Sequence, residues 1–387
     1  MNKMINRVTI AYSMSFLFTM KGKSVYELLP KHFNLSGYSP AQIGFVMSFT
    51  GLGAMLILPF LLFVVDRFKN KSILSITLIL HIVIPLLYFV PFYYPTLYAI
   101  PRFFQGGFFA VLLISYWAGL SYVLPHDQRY HGFALFGSMG QIGMLISVGI
   151  GEFIYDAHGF FWIYIFGSGL FAFSLLLLQS FPESKYAPDT TKPKLQDILI
   201  VLKQRQIYPL FFWIFILGYG FGSMTVFIPK VVLSAGLSQI KPFYIAFPLT
   251  VLFLRFTSSH LFDRVPKDLI VAIPMIVLPA SMITVSYIRS NFLLVISGIL
   301  YGFSHGILFP VLYAYLLEYS PLSFRGRMSL FFHFMYNLGI FFASNAGGLI
   351  AEISIRLTFR IGAAFLTLGF LVLILRKIFP LLKASRR

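Results

Sequence analysis

The chain has 387 residues, of which 58% are hydrophobic and 11% are charged, and its mean hydropathy is +0.83. A soluble globular domain carries about a quarter of its residues as charged side chains, so this composition excludes an ordinary water-soluble protein. The net charge is +18 and cysteine is absent, which excludes disulfides and thiolate metal sites.

Long apolar runs recur along the chain and predict an all-α integral membrane protein with twelve transmembrane helices. A bilayer core needs about 20 apolar residues for each helical span, and runs of that length follow one another from Val8 onward. They are continuous rather than alternating, which excludes a transmembrane β-barrel. The predicted spans are residues 8–30, 41–65, 72–92, 95–123, 132–154, 158–181, 207–229, 243–262, 269–288, 291–318, 328–350 and 356–378.

The two halves of the chain repeat each other at a nearly constant spacing. A duplicated half in so apolar a chain is typical of secondary transporters, whose substrate site lies between the repeats. We therefore predict two pseudo-symmetric six-helix halves, residues 1–181 and 207–387. Residues 182–206 are predicted to be a Pro-rich cytoplasmic linker with a short amphipathic helix. Identical residues 196 positions apart are Gly106 and Gly302, Pro125 and Pro321, Arg129 and Arg325, and Gly143 and Gly339.

Lys and Arg concentrate in the segments that the twelve spans place on one side of the membrane. With a cytoplasmic N-terminus, twenty of the 30 basic residues lie in inner segments and six in outer ones. This positive-inside pattern predicts that both termini are cytoplasmic. It also assigns the basic charge to an anionic lipid surface rather than to nucleic acid. Because the first apolar run contains three charged residues, we expect no cleaved signal peptide. The predicted location is the cell (inner) membrane, as a multi-pass protein.

Two short motifs match a known family. Residues 102–106 read R-F-F-Q-G, which matches the fourth-span signature R-x-x-Q-G. Asp66, Arg67 and Lys71 match the loop signature G-x-x-x-D-R-x-G-R-R/K between the second and third spans, although both of its glycines are replaced. Together with the twelve spans and the repeat, these motifs make the chain resemble the major facilitator superfamily (MFS) over nearly its whole length. The resemblance implies that the two halves rock about a midplane site.

The resemblance also assigns a role to charged residues of the loops. In this family such charges dock on a neighbouring helix end in only one conformation, and an acidic side chain near a helix N-terminus gains up to about 2 kcal/mol. The alternative is that they are snorkelling residues at helix ends. The predicted conformational latch consists of Asp66, Arg67, Arg129, Asp263, Arg264 and Arg325.

Charged residues within the first span point to the substrate site. A charge at bilayer depth costs a few kcal/mol and normally faces a wet cavity or a partner. Lys23 and Glu27 are four residues apart and share a helix face, whereas Lys21 points elsewhere. By the family resemblance, spans one, four, seven and ten line the cavity. Lys23 is then a candidate for substrate binding and Glu27 for proton coupling. The alternative is a mutual salt bridge that only permits their burial.

Polar residues in spans four and ten are the other site candidates. By the resemblance, Arg102 faces the interior and takes part in substrate binding and proton coupling; alternatively, it is a strut between helices. Gln105 lies on much the same side of the helix and is a candidate polar contact. His305, flanked by glycines, either titrates near neutral pH or simply packs. Arg255 in span eight is expected to snorkel to the membrane surface.

No motif for catalysis or ATP binding is present, so we predict a transporter and not an enzyme, with no cofactor or metal. The favoured function is secondary active transport of a small organic solute by a proton-coupled monomer. The charged candidates are net positive, which favours a solute with an anionic group. A multidrug or metabolite efflux antiporter and a lipid flippase stay open, although span five lacks the Gly-Pro pair typical of drug antiporters. A non-transporting membrane sensor is an alternative from another class.

Overall fold

The computed structural model describes residues 7–64, 69–89, 94–123, 129–180, 207–257, 267–318 and 325–384. Within these ranges the regular structure is helical, without a strand. Short 3-10 turns cover Tyr26–Leu28, Ile84–Phe89 and Pro95–Tyr98. The helices are α1 Arg7–Val25, α2 Leu29–Leu35, α3 Pro40–Val64, α4 Asn70–Val83, α5 Ala99–Val123, α6 Arg129–His158, α7 Phe160–Gln179, α8 Ile207–Ser234, α9 Lys241–Thr257, α10 Lys267–Ser286, α11 Asn291–Glu318, α12 Arg325–Ile353 and α13 Ile355–Ala384.

The predicted all-α fold with twelve spans is confirmed. The first span consists of α1, the turn Tyr26–Leu28 and α2, and each helix from α3 to α13 forms one further span. By length and composition alone, ten of the described helices are apolar enough to cross a membrane. The other two are α1, which carries Lys21 and Lys23, and α9, which has only 17 residues.

The repeated glycines mark equivalent helix contacts in the two halves. A Cβ atom placed on Gly106 of α5 would lie 1.9 Å from the carbonyl oxygen of Thr50 in α3. One placed on Gly302 of α11 would lie 2.6 Å from the carbonyl oxygen of Phe247 in α9. Small residues permit this close backbone approach. The duplication therefore preserves the contact between the second and fourth helices of each half.

A second pair of glycines does the same for the first and fifth helices. A Cβ atom on Gly143 of α6 would lie 3.0 Å from the backbone nitrogen of Lys21 in α1. Its counterpart on Gly339 of α12 would lie 2.1 Å from the carbonyl oxygen of Phe215 in α8. Both positions exclude a side chain, so the repeat in the sequence reports a repeat in helix packing.

Hydrogen bonds inside the first half hold α1 in position. Ser15 Oγ lies 2.7 Å from the Tyr116 hydroxyl and donates to the Ser174 carbonyl oxygen at 2.9 Å. Thr19 Oγ1 lies 2.8 Å from Ser174 Oγ. All four side chains are buried, and buried polar groups need such partners. These bonds tie α1 to α5 and α7, which sets where the charged end of the first span lies.

The two halves meet through their second and fifth helices. Here α3 packs along α12, and α6 packs along α9. The helices approach closely near the start of α3, where a Cβ atom on Gly44 would lie 2.2 Å from the carbonyl oxygen of Ser344. Four predicted site residues, Lys23, Glu27, Arg102 and Gln105, lie at the space enclosed between the halves.

Several predicted features lie outside the described residues. The linker at 182–206 falls in a gap between described ranges. Arg129 and Arg325 begin α6 and α12, but their side chains are not described. The domain boundaries and the conformational latch therefore stay predictions. The other latch residues outside the described ranges are Asp66, Arg67, Asp263 and Arg264.

Candidate substrate site

A cavity of about 240 Å³ lies between the two halves. The first half contributes α1, the turn Tyr26–Leu28, α3, α4 and α5, and the second half contributes α8, α11 and α12. Most of its lining is apolar, as is usual for small-molecule sites with a few polar groups. Its polar and aromatic-polar lining residues are Lys23, Tyr26, Glu27, Thr50, His81, Arg102, Gln105, Thr225, His333, Tyr336 and Asn337.

The first span brings an ion pair into this cavity. Lys23 lies in the last turn of α1 and Glu27 in the 3-10 turn that follows, and the Lys23 ammonium binds Glu27 Oε1. The Glu27 carboxylate is buried. The Lys23 ammonium lies 5.9 Å from the ring centre of Phe109 and 5.8 Å from that of Phe221. Phe109 belongs to the first half and Phe221 to the second, so this cation contacts both.

Arg102 and Gln105 form the second polar cluster. Arg102 lies near the start of α5 and is only 8% exposed. Its Nη1 donates to Gln105 Oε1 at 3.2 Å, and the Tyr88 hydroxyl donates to the same oxygen at 2.6 Å. Arg102 Nε and Gln105 Nε2 are buried and have no hydrogen-bond partner. Within the described part of the chain, the Arg102 guanidinium forms no ion pair.

His305 lies behind the cavity wall rather than in it. Its Nε2 lies 3.0 Å from the Tyr336 hydroxyl, and its ring lies 5.6 Å from those of Phe221 and Tyr301. The ring is buried and is not among the cavity-lining residues. Lys23, Glu27, Arg102 and Gln105 therefore line one cavity, and His305 lies behind it, in contact with the lining residues Phe221 and Tyr336.

The sequence missed some of the lining. His81 and His333 are not among the site candidates taken from the sequence, but both line the cavity, as do Tyr336 and Asn337. His81 Nδ1 lies 2.7 Å from the Thr77 carbonyl oxygen. Polar side chains inside apolar spans are the one available signal for such positions. That signal does not say which of them face inward.

Arg255 lies elsewhere than expected. A Cβ atom on Gly137 of α6 would lie 2.9 Å from Nη1 of Arg255, which shows that the guanidinium reaches from α9 to the other half. It therefore packs against α6 of the first half. Lys21, by contrast, lies over the Phe18 ring at 4.9 Å and does not line the cavity.

Two six-helix halves around a cavity with buried polar groups define a secondary transporter. The sequence profile of the Major Facilitator Superfamily matches residues 8–289 and 244–386. The chain belongs to this family. It is a multi-pass membrane transporter and not an enzyme.

Individual relatives are distant. The Quinolone resistance protein NorA of Staphylococcus aureus is 25% identical over 170 residues, which cover 43% of this chain. The match spans 44% of the length of NorA. Among solved structures, the nucleoside transporter NupG has a TM-score of 0.76 at 14% identity and covers 95% of this chain and 98% of its own. The human organic anion transporter MFSD10 has a TM-score of 0.67 at 14% identity, with 95% and 99% covered. These structural likenesses show the fold.

Proposed function

We propose that this transporter moves a small organic solute with an anionic group by alternating access, coupled to protons. The observation that carries the proposal is the Arg102 guanidinium, which lines the cavity, is buried, and has no carboxylate partner among the described residues. An unpaired buried charge is costly. An anionic group on the substrate would supply the missing partner.

The other charges in the cavity support the same sign. Glu27 neutralises Lys23, so Arg102 leaves one net positive charge among the described Lys, Arg, Asp and Glu residues that line the cavity. Gln105 Nε2 adds a neutral donor beside it. Charge-assisted hydrogen bonds from guanidinium to carboxylate or phosphate are about twice as strong as neutral ones. Lys23, Arg102 and Gln105 are the proposed substrate contacts, and His305 is proposed to act from behind, through Tyr336.

Glu27 is the proposed proton carrier. It is the acidic residue among the described cavity-lining residues, and its cationic partner is Lys23. When an anionic substrate group draws the Lys23 ammonium away, Glu27 loses its cationic partner. The carboxylate then takes up a proton, which links substrate binding to proton binding. Arg102 contributes through its charge.

The location and the switching loops belong to the same proposal. The excess of basic residues in inner segments supports cytoplasmic termini and a cell-membrane location. We assign the protein as a monomer. The charged loop residues Asp66, Arg67, Arg129, Asp263, Arg264 and Arg325 are the proposed latch for the cytoplasmic end of the bundle.

Efflux of apolar or cationic drugs is the second candidate. The similarity to NorA, which is named for quinolone resistance, favours it. The groups around the Lys23 ammonium, a carboxylate and two phenyl rings, are also of the kind that binds a cationic drug. Such a site binds organic cations when no lysine fills it. In this chain the lysine fills it, so the anionic solute is favoured.

Thermal stability of the detergent-purified protein with added solutes tests the proposal. A solute at 100 times its dissociation constant adds about 2.7 kcal/mol of stability. Anionic solutes are expected to stabilise the parent protein but not Arg102→Gln, and to stabilise Lys23→Ala less than the parent. Arg360→Gln is the matched control, because that guanidinium lies over the Tyr287 ring at 5.1 Å and outside the cavity. Stabilisation by cations alone would instead establish the efflux candidate.

A further inference from the structure

The two walls of the cavity have different chemistry. The second half presents an aromatic wall in which the Tyr336 ring lies 5.8 Å from Phe221 and 5.5 Å from Phe309. The first half presents the buried donors Arg102 Nε and Gln105 Nε2, which lack partners. All five residues line the same cavity. A ligand that satisfies both walls carries an anionic acceptor at one end and a flat apolar body at the other.

The size of the cavity sets how large that body can be. An engineered protein cavity of about 150 Å³ is known to hold benzene. The cavity here measures about 240 Å³, which leaves room for one aromatic ring and a carboxylate. Aromatic rings prefer edge-to-face or offset contacts with other rings, worth about 0.5–1.5 kcal/mol beyond burial. The aromatic wall therefore distinguishes a flat aromatic ring from a saturated one.

We propose that the substrate is a planar aromatic carboxylate, with its carboxylate at Arg102 and Gln105 and its ring against Phe221, Phe309 and Tyr336. This inference rests on the proposed function, which requires only an anionic group. It adds the nature of the body that carries that group and the half of the protein that recognises it.

Three matched probes test this inference in thermal-shift titrations of the full chain: benzoate, cyclohexanecarboxylate and benzamide. Benzoate is expected to bind about 2- to 10-fold more tightly than cyclohexanecarboxylate, the range that ring contacts provide. Benzamide, which lacks the charge, is expected to bind at least about 10-fold more weakly than benzoate. Phe221→Leu is expected to remove the preference for the aromatic acid. Phe253→Leu is the control, because Phe253 is 65% exposed and outside the cavity.

The outcomes separate the inference from the proposed function. Equal binding of the two acids would overturn the aromatic inference and leave the anionic substrate in place. Binding of benzamide as tight as that of benzoate would overturn both. If neither benzoate nor the larger 2-naphthoate binds while aliphatic acids do, the aromatic inference fails alone. A preference for the aromatic acid that persists in Phe221→Leu would also reject it.

Loops 36–39 and 235–240 lie at one end of the bundle, which we call the sealed end. Glu152 near the end of α6 crosses to the other half there. Its Oε1 accepts the backbone N–H of Ile240 at 2.8 Å and its Oε2 that of Lys241 at 2.9 Å. These two residues open α9. The Lys31 ammonium donates to the same carboxylate at 2.7 Å, and Glu152 is 1% exposed.

The other pair of helices repeats this contact in the opposite direction. Glu352 near the end of α12 accepts the backbone N–H of Ala41, in the first turn of α3, at 2.8 Å. In each half, therefore, the fifth helix presents a carboxylate to the start of the second helix of the other half. Unpaired N–H groups and the helix dipole make a helix start attractive to a carboxylate.

We propose that these two carboxylates hold the sealed end closed, and that both contacts must break before the cavity opens at that end. On the orientation that the basic residues predict, this is the external end. The Glu152 contact is the stronger of the two, because Glu152 is buried and accepts two charge-assisted hydrogen bonds from the other half. Glu352 is exposed and accepts one.

Spin-label distances across the sealed end test this proposal. The chain has no cysteine, so Leu35→Cys and Ser290→Cys can be labelled directly. Both positions are exposed, lie in opposite halves, and flank the sealed end. Glu152→Gln is expected to raise the ratio of long to short distances roughly 10- to 100-fold. Glu352→Gln is expected to raise it about 2- to 5-fold.

Asp156→Asn is the matched control. Asp156 lies one turn beyond Glu152 and also binds Lys31, at 2.9 Å, but it makes no described contact with the other half. It is expected to leave the distances unchanged. A shift in Asp156→Asn as large as that in Glu152→Gln would mean that surface charge alone matters. Glu352 is exposed, so its substitution by Gln is not expected to disturb folding. If the distances in Glu352→Gln are unchanged, the proposal that both carboxylates hold the end closed is wrong.

Discussion

Equivalent helices of the two halves share their packing but not the residues that face the cavity. Gly106 and Gly302 make the same kind of backbone contact. At the same spacing before them, however, the first half has Arg102 and Gln105, whereas the second has Gly298 and Tyr301. The two halves therefore share the residues that determine how their helices pack. The charged side chains that line the cavity, among the described residues, all belong to the first half.

The second half differs from the first in lining the cavity with the aromatic wall of Phe221, Phe309 and Tyr336. Among the described cavity-lining residues, the second half contributes no Lys, Arg, Asp or Glu. A site between repeats needs groups from both halves to sense their relative movement. Here the proposed anion-binding groups belong to one half and the proposed ring-binding groups to the other. On this proposal, the substrate bridges the halves through two different kinds of contact.

We expect the largest loss of transport when the unpaired charge of the first half is removed. Arg102→Gln removes the unpaired guanidinium from the cavity, and we expect transport of an anionic solute into proteoliposomes to fall at least about 30-fold, because truncating one partner of a buried charge pair costs about 2–5 kcal/mol. Arg360→Gln should transport normally. Equal activity of the two variants would remove Arg102 from the site.

The shared packing predicts the next largest effect. Gly106→Ala and Gly302→Ala each force a Cβ atom against a neighbouring backbone, and we expect each to lower the free energy of unfolding by about 1–3 kcal/mol. Gly149→Ala and Gly169→Ala are controls, because nothing lies within 4 Å of either added Cβ atom. Thermal denaturation in detergent measures all four. Normal stability of Gly302→Ala would show that the two halves do not pack alike.

Proton coupling is the next property to test, through the carboxylate of Glu27 in the first half. Glu27→Gln keeps the shape of the side chain but cannot release a proton, so exchange of labelled solute should persist while accumulation driven by a pH gradient disappears. One pH unit corresponds to about 1.4 kcal/mol, or a tenfold accumulation in a one-proton symporter. Transport assays in proteoliposomes with and without an imposed gradient measure this. Gradient-driven accumulation in Glu27→Gln would assign coupling to another residue.

The smallest effect is expected behind the aromatic wall. His305→Asn removes the contact with the Tyr336 hydroxyl, and a neutral hydrogen bond contributes about 1 kcal/mol. We expect substrate affinity to fall about 5-fold, with no change in the pH dependence of transport. Titration of labelled substrate at several pH values measures both. A loss as large as that of Arg102→Gln would place His305 in direct contact with substrate.

Much of the fold follows from local features of the sequence. The twelve apolar runs predict the spans because the bilayer requires a fixed length of apolar helix. The spacing of Lys23 and Glu27 predicts a shared helix face, and the two side chains form an ion pair. Gly106 and Gly302 repeat at one spacing and make equivalent contacts. Each inference uses distances along one helix or a repeat in the chain.

The composition of the cavity does not follow in the same way. His81 and Asn337 line it, whereas His305 and Lys21 do not. Nothing in the pattern of α4 or α12 says which face meets the other half. Rotation of each helix about its axis depends on packing against its neighbours, and this decides whether a polar side chain reaches the cavity, a partner or lipid.

A duplicated bundle of membrane-spanning helices can be predicted from the chain alone, because helix length, hydropathy and repeated glycines act locally. The sequence also shows which charges have to be accommodated at membrane depth. Which charged side chains are paired depends on the tertiary structure. Glu27 neutralises Lys23, Arg102 is left without a carboxylate, and Glu152 and Glu352 reach the helix starts of the opposite halves. These pairings join residues far apart in the chain, and only the packed arrangement of the helices brings them within hydrogen-bond distance.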